Sequence, residues 1–83
     1  MKFIASITIM PHSNLLDPQG KAVEKGLANM GFSEVRDVRV GKHISLSLET
    51  ANAAEAAALT EKACKQLLAN QVMETYAYTI SEA

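Results

Sequence analysis

Between Met10 and Ala22 the spacing of apolar side chains changes from every second residue to one face of a helix. The change is made by Leu15-Leu16-Asp17-Pro18-Gln19-Gly20. Asp17 is suited to cap a helix with its carboxylate, and Pro18 suits the first helical position, where no backbone donor is missed. Gly20 lets another backbone come close. The corner between a strand and a helix is thereby specified, and none of its side chains is an obvious catalyst.

The alternation on either side defines the elements. Phe3, Ala5, Ile7 and Ile9 alternate with Ile4, Ser6, Thr8 and Met10, which predicts a strand over residues 2–10 that Pro11 ends. From Asp17, the residues Ala22, Val23, Gly26, Leu27 and Met30 share one helical face, and Gly31 suits the left-handed stop. Val35 to Val40 reads as a second strand and Ile44, Leu46 and Leu48 as a third, with Gly41-Lys42 between them as a hairpin. A two-residue turn puts Val38 and Val40 on the face opposite Ile44 and Leu46, whereas a three-residue turn or, preferably, a bulge aligns them. Asn52 and Glu55 open a second helix that runs to about Ala69. Its inward stripe is Ala56, Leu59, Thr60, Ala63 and Leu67, with Cys64 and Leu68 beside it, and Glu61 and Lys65 form an outer i,i+4 pair. Asn70 is a further left-handed stop, and Tyr76, Tyr78 and Ile80 alternate in a last strand.

The order β-α-β-β-α-β predicts an α+β fold: one domain over residues 1–83, with a four-stranded, mainly antiparallel sheet and two helices on one face. The other sheet face carries Ser6, Thr8, Ser45, Ser47, Thr75, Ala77 and Thr79 with Ile4 and Met10, and hardly any charge. Small neutral groups allow a flat surface to approach, so a second subunit is expected to cover this face. A chain of 83 residues buries only about 60–65% of its unfolded surface, and oligomerisation is a common remedy.

Composition narrows the function classes. The net charge of −1 gives no footprint for nucleic acid, and no basic patch suits a membrane surface. No apolar run has the length of a signal sequence or a membrane span, and the single cysteine, Cys64, fits a reducing cytoplasm. Among Ala63, Leu67 and Leu68 that thiol reads as a small hydrophobe. His12 and His43 lie in separate loops without metal-ligand spacing, and no nucleophile is tied to either, so neither a metal site nor a catalytic set is predicted. Gly20-Lys21 and Gly41-Lys42 lack the frame of a phosphate loop. The ribbon Val35-Arg36-Asp37-Val38-Arg39-Val40-Gly41-Lys42 concentrates basic groups and suits either a solvated edge or a docking surface. Tyr76 and Tyr78 read as core or subunit contacts rather than an RNA platform.

Leu16-Asp17-Pro18-Gln19-Gly20, then Val23, then Glu34 to Lys42, then Leu67-Leu68-Ala69-Asn70 with Val72, Glu74, Tyr76 and Tyr78, taken in this order and spacing, resemble the PurS family. PurS is the small subunit of phosphoribosylformylglycinamidine synthase. The resemblance spans nearly the whole chain and departs from the family at Pro11-His12-Ser13 and in the alanine-rich start of the second helix. It implies membership of a complex that uses ATP and glutamine to make an amidine in purine synthesis. A synthetase subunit, PurL, would carry the ATP and magnesium chemistry, and a glutaminase, PurQ, would release ammonia. A dimer or higher homo-oligomer of PurS chains would bridge them without catalytic residues or a cofactor of its own. The resemblance assigns Asp17, Pro18, Gln19, Gly20, Arg36, Asp37, Arg39, Gly41 and Lys42 to subunit contacts. The competing reading is a ferredoxin-like regulatory domain that senses a small molecule at Leu15-Leu16-Asp17-Pro18.

Overall fold

The computed structural model describes all residues, Met1–Ala83. Three strands form one antiparallel sheet in the order β2-β1-β3: β1 (Lys2–Pro11), β2 (Lys42–Glu49) and β3 (Glu74–Glu82). Two helices join them, α1 (Pro18–Asn29) and α2 (Ala53–Ala63), and α2 continues into a wider π turn at Cys64–Leu68.

The register follows from the alternation in β1. Ile7 lies between Ile44 and Tyr78, and Ala5 between Leu46 and Ile80, so one face of the sheet is apolar. Ser6 lies between Ser45 and Thr79, and Ile4 between Ser47 and Ser81, so the expected neutral face is formed as read. Phe3, Ala5, Ile7 and Ile9 are fully buried under Ala56, Thr60 and Cys64 of the second helical segment. Each buried side chain of this size contributes about 1.5–3 kcal/mol of transfer free energy.

The π turn corrects the expected stripe. An ideal α-helix from Thr60 would bring Leu67 inward, but the extra residue per turn rotates the chain. Thr60, Cys64 and Leu68 then share the inner face, while Leu67 is 83% exposed. Asn70 is not in the left-handed region. It closes the next turn with its side chain instead, accepting from the N–H of Val72 at 3.0 Å. The left-handed stop at Gly31 is as expected, with φ 97°.

Two parts of the expected architecture differ. Residues 35–41 form no strand, so the sheet has three strands rather than four and Gly41-Lys42 is no hairpin. The N–H groups of Val38 and Val40 that would enter a ladder are taken by the carboxylates of Glu24 and Asp17. Asp37, with φ 55°, breaks the extended run. The second difference concerns α1, which packs on no strand of its own sheet. Together with residues 30–41 it forms an arm beyond the sheet end at Pro11 and Lys42, and the molecule extends 51 × 26 × 14 Å. Its radius of gyration is 16.3 Å, against about 12 Å for a compact chain of this length.

Candidate functional site

The root of the arm holds most of the residues singled out in the sequence. Asp17 caps α1 by accepting from the N–H of Gly20 at 2.9 Å through Oδ1, and Pro18 takes the first helical position. Its other oxygen, Oδ2, accepts from the N–H of Val40 at 2.8 Å. Those two backbone donors, with the Arg39 guanidinium nearby, hold the Asp17 carboxyl below the usual carboxylate range. Gly20 is buried because the helix meets the returning chain there, and a Cβ at this position would overlap the carbonyl of Val38. Gly41 is confined in the same way by the carbonyl of Ile9 and the Met10 thioether.

Arg39 reaches across from the arm to the sheet. Its Nη2 donates to the carbonyl of Pro11 and, at 2.7 Å, to that of His12. Arg36, Asp37, Gly41 and Lys42 are exposed, as are Pro18 and Gln19. Lys42 pairs with Glu74 at 3.7 Å across the end of β1. The structure therefore brings the corner and the basic ribbon together. Asp17, Gly20 and Arg39 are spent on internal contacts, Lys42 pairs with Glu74 at the surface, Gly41 is exposed but confined on one side, and Pro18, Gln19, Arg36 and Asp37 face outward.

An open hollow of about 480 Å³ lies beside this root, lined by Asn14, Leu16, Asp17, Lys21, Asp37 and Arg39 among others. It is not a ready anion site. The first-turn donors of α1 already face the Asp17 carboxylate, which adds negative charge where a phosphate or carboxylate ligand would bind.

A second polar cluster sits on the apolar face. The Tyr76 hydroxyl donates to Glu61 Oε1 at 2.9 Å, and Lys65 stands 3.5 Å from the same oxygen. The bond pushes the Tyr76 hydroxyl up to about 12 and draws Glu61 down. Tyr78 is raised chiefly by burial and also by Glu61. Sequence reading gave these rings as core or subunit contacts but missed their shared carboxylate, which comes from a different element. Burial pushes the Cys64 thiol up, away from a reactive thiolate. His43 stands in β2 opposite Thr8 rather than in a loop. No three potential metal-ligating side chains converge.

Apart from the half-buried Leu27, the shared helical face expected for α1 is open to solvent. Val23 is 45% and Met30 74% exposed, and Leu16, Phe32 and Val35 are open as well. On the sheet, α2 covers β1 and β3, and Ile44, Leu46 and Leu48 of β2 remain only half-buried. A small sheet-and-arm protein with an unpaired helix and no convergent reactive groups is the class defined by this geometry.

Comparison with known proteins gives the family. The chain belongs to the PurS family, whose model, described as phosphoribosylformylglycinamidine (FGAM) synthase, matches residues 4–82. The PurS subunit of that synthase from a Synechocystis strain is 43% identical over 75 residues, covering 90% of this chain and 73% of the relative. A solved PurS structure from Thermus thermophilus superposes with a TM-score of 0.85 at 39% identity, covering 100% of this chain and 99% of that one. A chain in the structure of PurLQS from Thermotoga maritima superposes with a TM-score of 0.86 at 34% identity, covering 100% and 99% of the two chains. The chain is thus a PurS-family subunit of FGAM synthase, in purine biosynthesis. No helix is long and apolar enough to cross a membrane.

Proposed function

We propose that this chain acts as one non-catalytic bridging domain in the FGAM synthase complex of the cytoplasm. It docks a PurQ-type glutaminase on a PurL-type synthetase, and the synthetase handles ATP and magnesium. Free ammonia in water becomes ammonium and diffuses away, so transfer between two sites requires that they be docked and shielded. The similarity to a chain of the T. maritima PurLQS structure supports these partners. The observation that carries the reading is the superposition on a chain of the PurLQS structure, at 34% identity over the whole of this chain.

The working unit of this reading is a homodimer in which the arm of one copy covers the open β2 half of the other's sheet. The surface area supports it. The chain exposes 5863 Å², about 1,000 Å² more than a compact protein of its mass, and a standard interface buries about 800 Å² per partner. A 12-residue helix with so little cover is marginal on its own. Pro18, Gln19, Arg36, Asp37, Gly41 and Lys42 make the contacts to the larger subunits, while Asp17, Gly20 and Arg39 hold the backbone that presents them.

The test is co-purification with the two larger subunits in the presence of glutamine and ATP. The expected result is a ternary assembly that requires this chain. Assembly of synthetase and glutaminase at equal affinity without it refutes the reading.

A further inference from the structure

The arm is tied internally by several bonds but to the sheet by one side chain. Asp17 to Val40, Glu24 to Val38 and the close approach at Gly20 all join α1 to residues 38–40, within the arm. Where the arm leaves the sheet at His12, a single backbone bond holds it, from the His12 N–H to the carbonyl of Met73 at 2.9 Å. Arg39 alone among the arm's side chains hydrogen-bonds across the root, to the carbonyls of Pro11 and His12. It is half-buried, and its Nε is shut off from water with no acceptor. Both bonds come from the one Nη2 amino group, whose two N–H directions are fixed by the guanidinium plane, whereas an ammonium turns freely on its stem.

We infer that Arg39 is a positioning residue for glutamine-driven synthesis: its clamp on Pro11 and His12 sets the angle of the arm to the sheet, and that angle aligns the two larger subunits. The inference rests on the bridging role proposed above. Loss of Arg39 leaves the arm folded, because Asp17, Glu24 and Gly20 still join its two halves. It frees the arm to pivot about residues 11–12 and 41–42. Docking then persists, while alignment of the ammonia path does not.

The experiment is reconstitution of the three subunits with wild-type chain, Arg39→Lys or Arg39→Gln, measuring the rate with glutamine and the rate with added ammonia. Ammonia supplied from solution bypasses the passage, so its rate reports the synthetase alone. For Arg39→Gln the glutamine-driven rate is expected to fall about tenfold or more, since misplacement on the scale of an ångström carries costs of that order. The ammonia-driven rate, the dimer mass and co-purification stay as in the wild type, and Arg39→Lys falls between. An equal loss of both rates, or no loss of either, overturns the inference. An independent arm reads the angle itself, with spin labels at Lys25→Cys and Ser47→Cys in chains diluted with unlabelled protein, the native Cys64 thiol being buried. The distance distribution is expected to broaden in Arg39→Gln, and an unchanged distribution overturns the inference. Failure of the wild-type chain to join the larger subunits would instead count against the bridging role, and the label distances would still decide the role of the clamp.

Discussion

At the residue scale, the corner shows how much a single side chain can specify. Asp17 was legible as a cap, because capping needs only local spacing. Its second bond, to Val40, was not legible, because it joins residues 23 positions apart through a fold that had not yet been placed. Asp17→Asn offers one acceptor oxygen where two are used, so it can keep the bond to Gly20 or the bond to Val40, but not both. The native carboxyl is lowered, so its contribution is present above its ordinary value of 3.8 and is lost as pH falls through the lowered value. The acid limb of a stability-against-pH curve is therefore expected to flatten in Asp17→Asn. Gly20→Ala places a methyl group on the Val38 carbonyl and is expected to cost about 1–3 kcal/mol, read from urea midpoints at unchanged slope. The Tyr76–Glu61 bond has the opposite pH sign at its alkaline end. The raised hydroxyl stabilises the fold fully below pH 10, and the contribution is lost as pH climbs towards about 12. Tyr76→Phe should remove that alkaline loss, with Tyr78 left as the remaining ionisation in a tyrosinate absorbance titration.

At the element scale, the strands that pair within the chain were readable, and those parts that answer to something else were misread. β1, β2 and β3 follow from alternation, since each lines up its apolar residues on one face of the sheet. Residues 35–40 carry the same alternation, in Val38 and Val40, yet form no ladder, because carboxylates of α1 take the donors first. Local propensity cannot distinguish a donor bound to a side chain from one bound to a strand. The α1 helix was placed correctly along the chain, and its apolar face was identified, but the cover for that face is absent from its own sheet. The π turn was invisible because its extra residue leaves the apolar pattern of two adjacent leucines ambiguous. That ambiguity makes a clean test. Leu68→Ala, at a half-buried position packed on the core, is expected to cost about 1–2 kcal/mol, less than the roughly 2–5 kcal/mol of a fully buried leucine. Leu67→Ala should stay within about 0.5 kcal/mol. An ideal α-helix predicts the reverse ranking, so two denaturation curves decide the geometry.

At the scale of the whole molecule, the surplus surface and the two uncovered apolar features are complementary in kind. One sheet lacks a helix over β2, and one helix lacks a sheet. Within a single chain the short root at Asp17 and Val40 prevents α1 from folding back, so the deficit can be met only from outside. In the proposed dimer a second copy would supply the matching pair and close the arrangement with twofold symmetry, each arm serving the other sheet. The neutral Ser and Thr face would also admit a second copy, and the two arrangements respond to different substitutions. With the arm as the interface, Val23→Asp combined with Met30→Glu buries charge without a partner and should raise the dimer dissociation constant by at least about a hundredfold, a lower bound for two unpaired charges that each cost a few kcal/mol when fully buried. Leu46→Asp, on the sheet that receives the arm, should do the same. Ser6→Lys, centred on the neutral face between Ser45 and Thr79, should leave the mass unchanged. Sedimentation equilibrium across a dilution series reads all three. A monomer from Ser6→Lys beside an intact dimer from the arm variants would move the interface to the neutral face and leave the exposed side of α1 for the larger subunits.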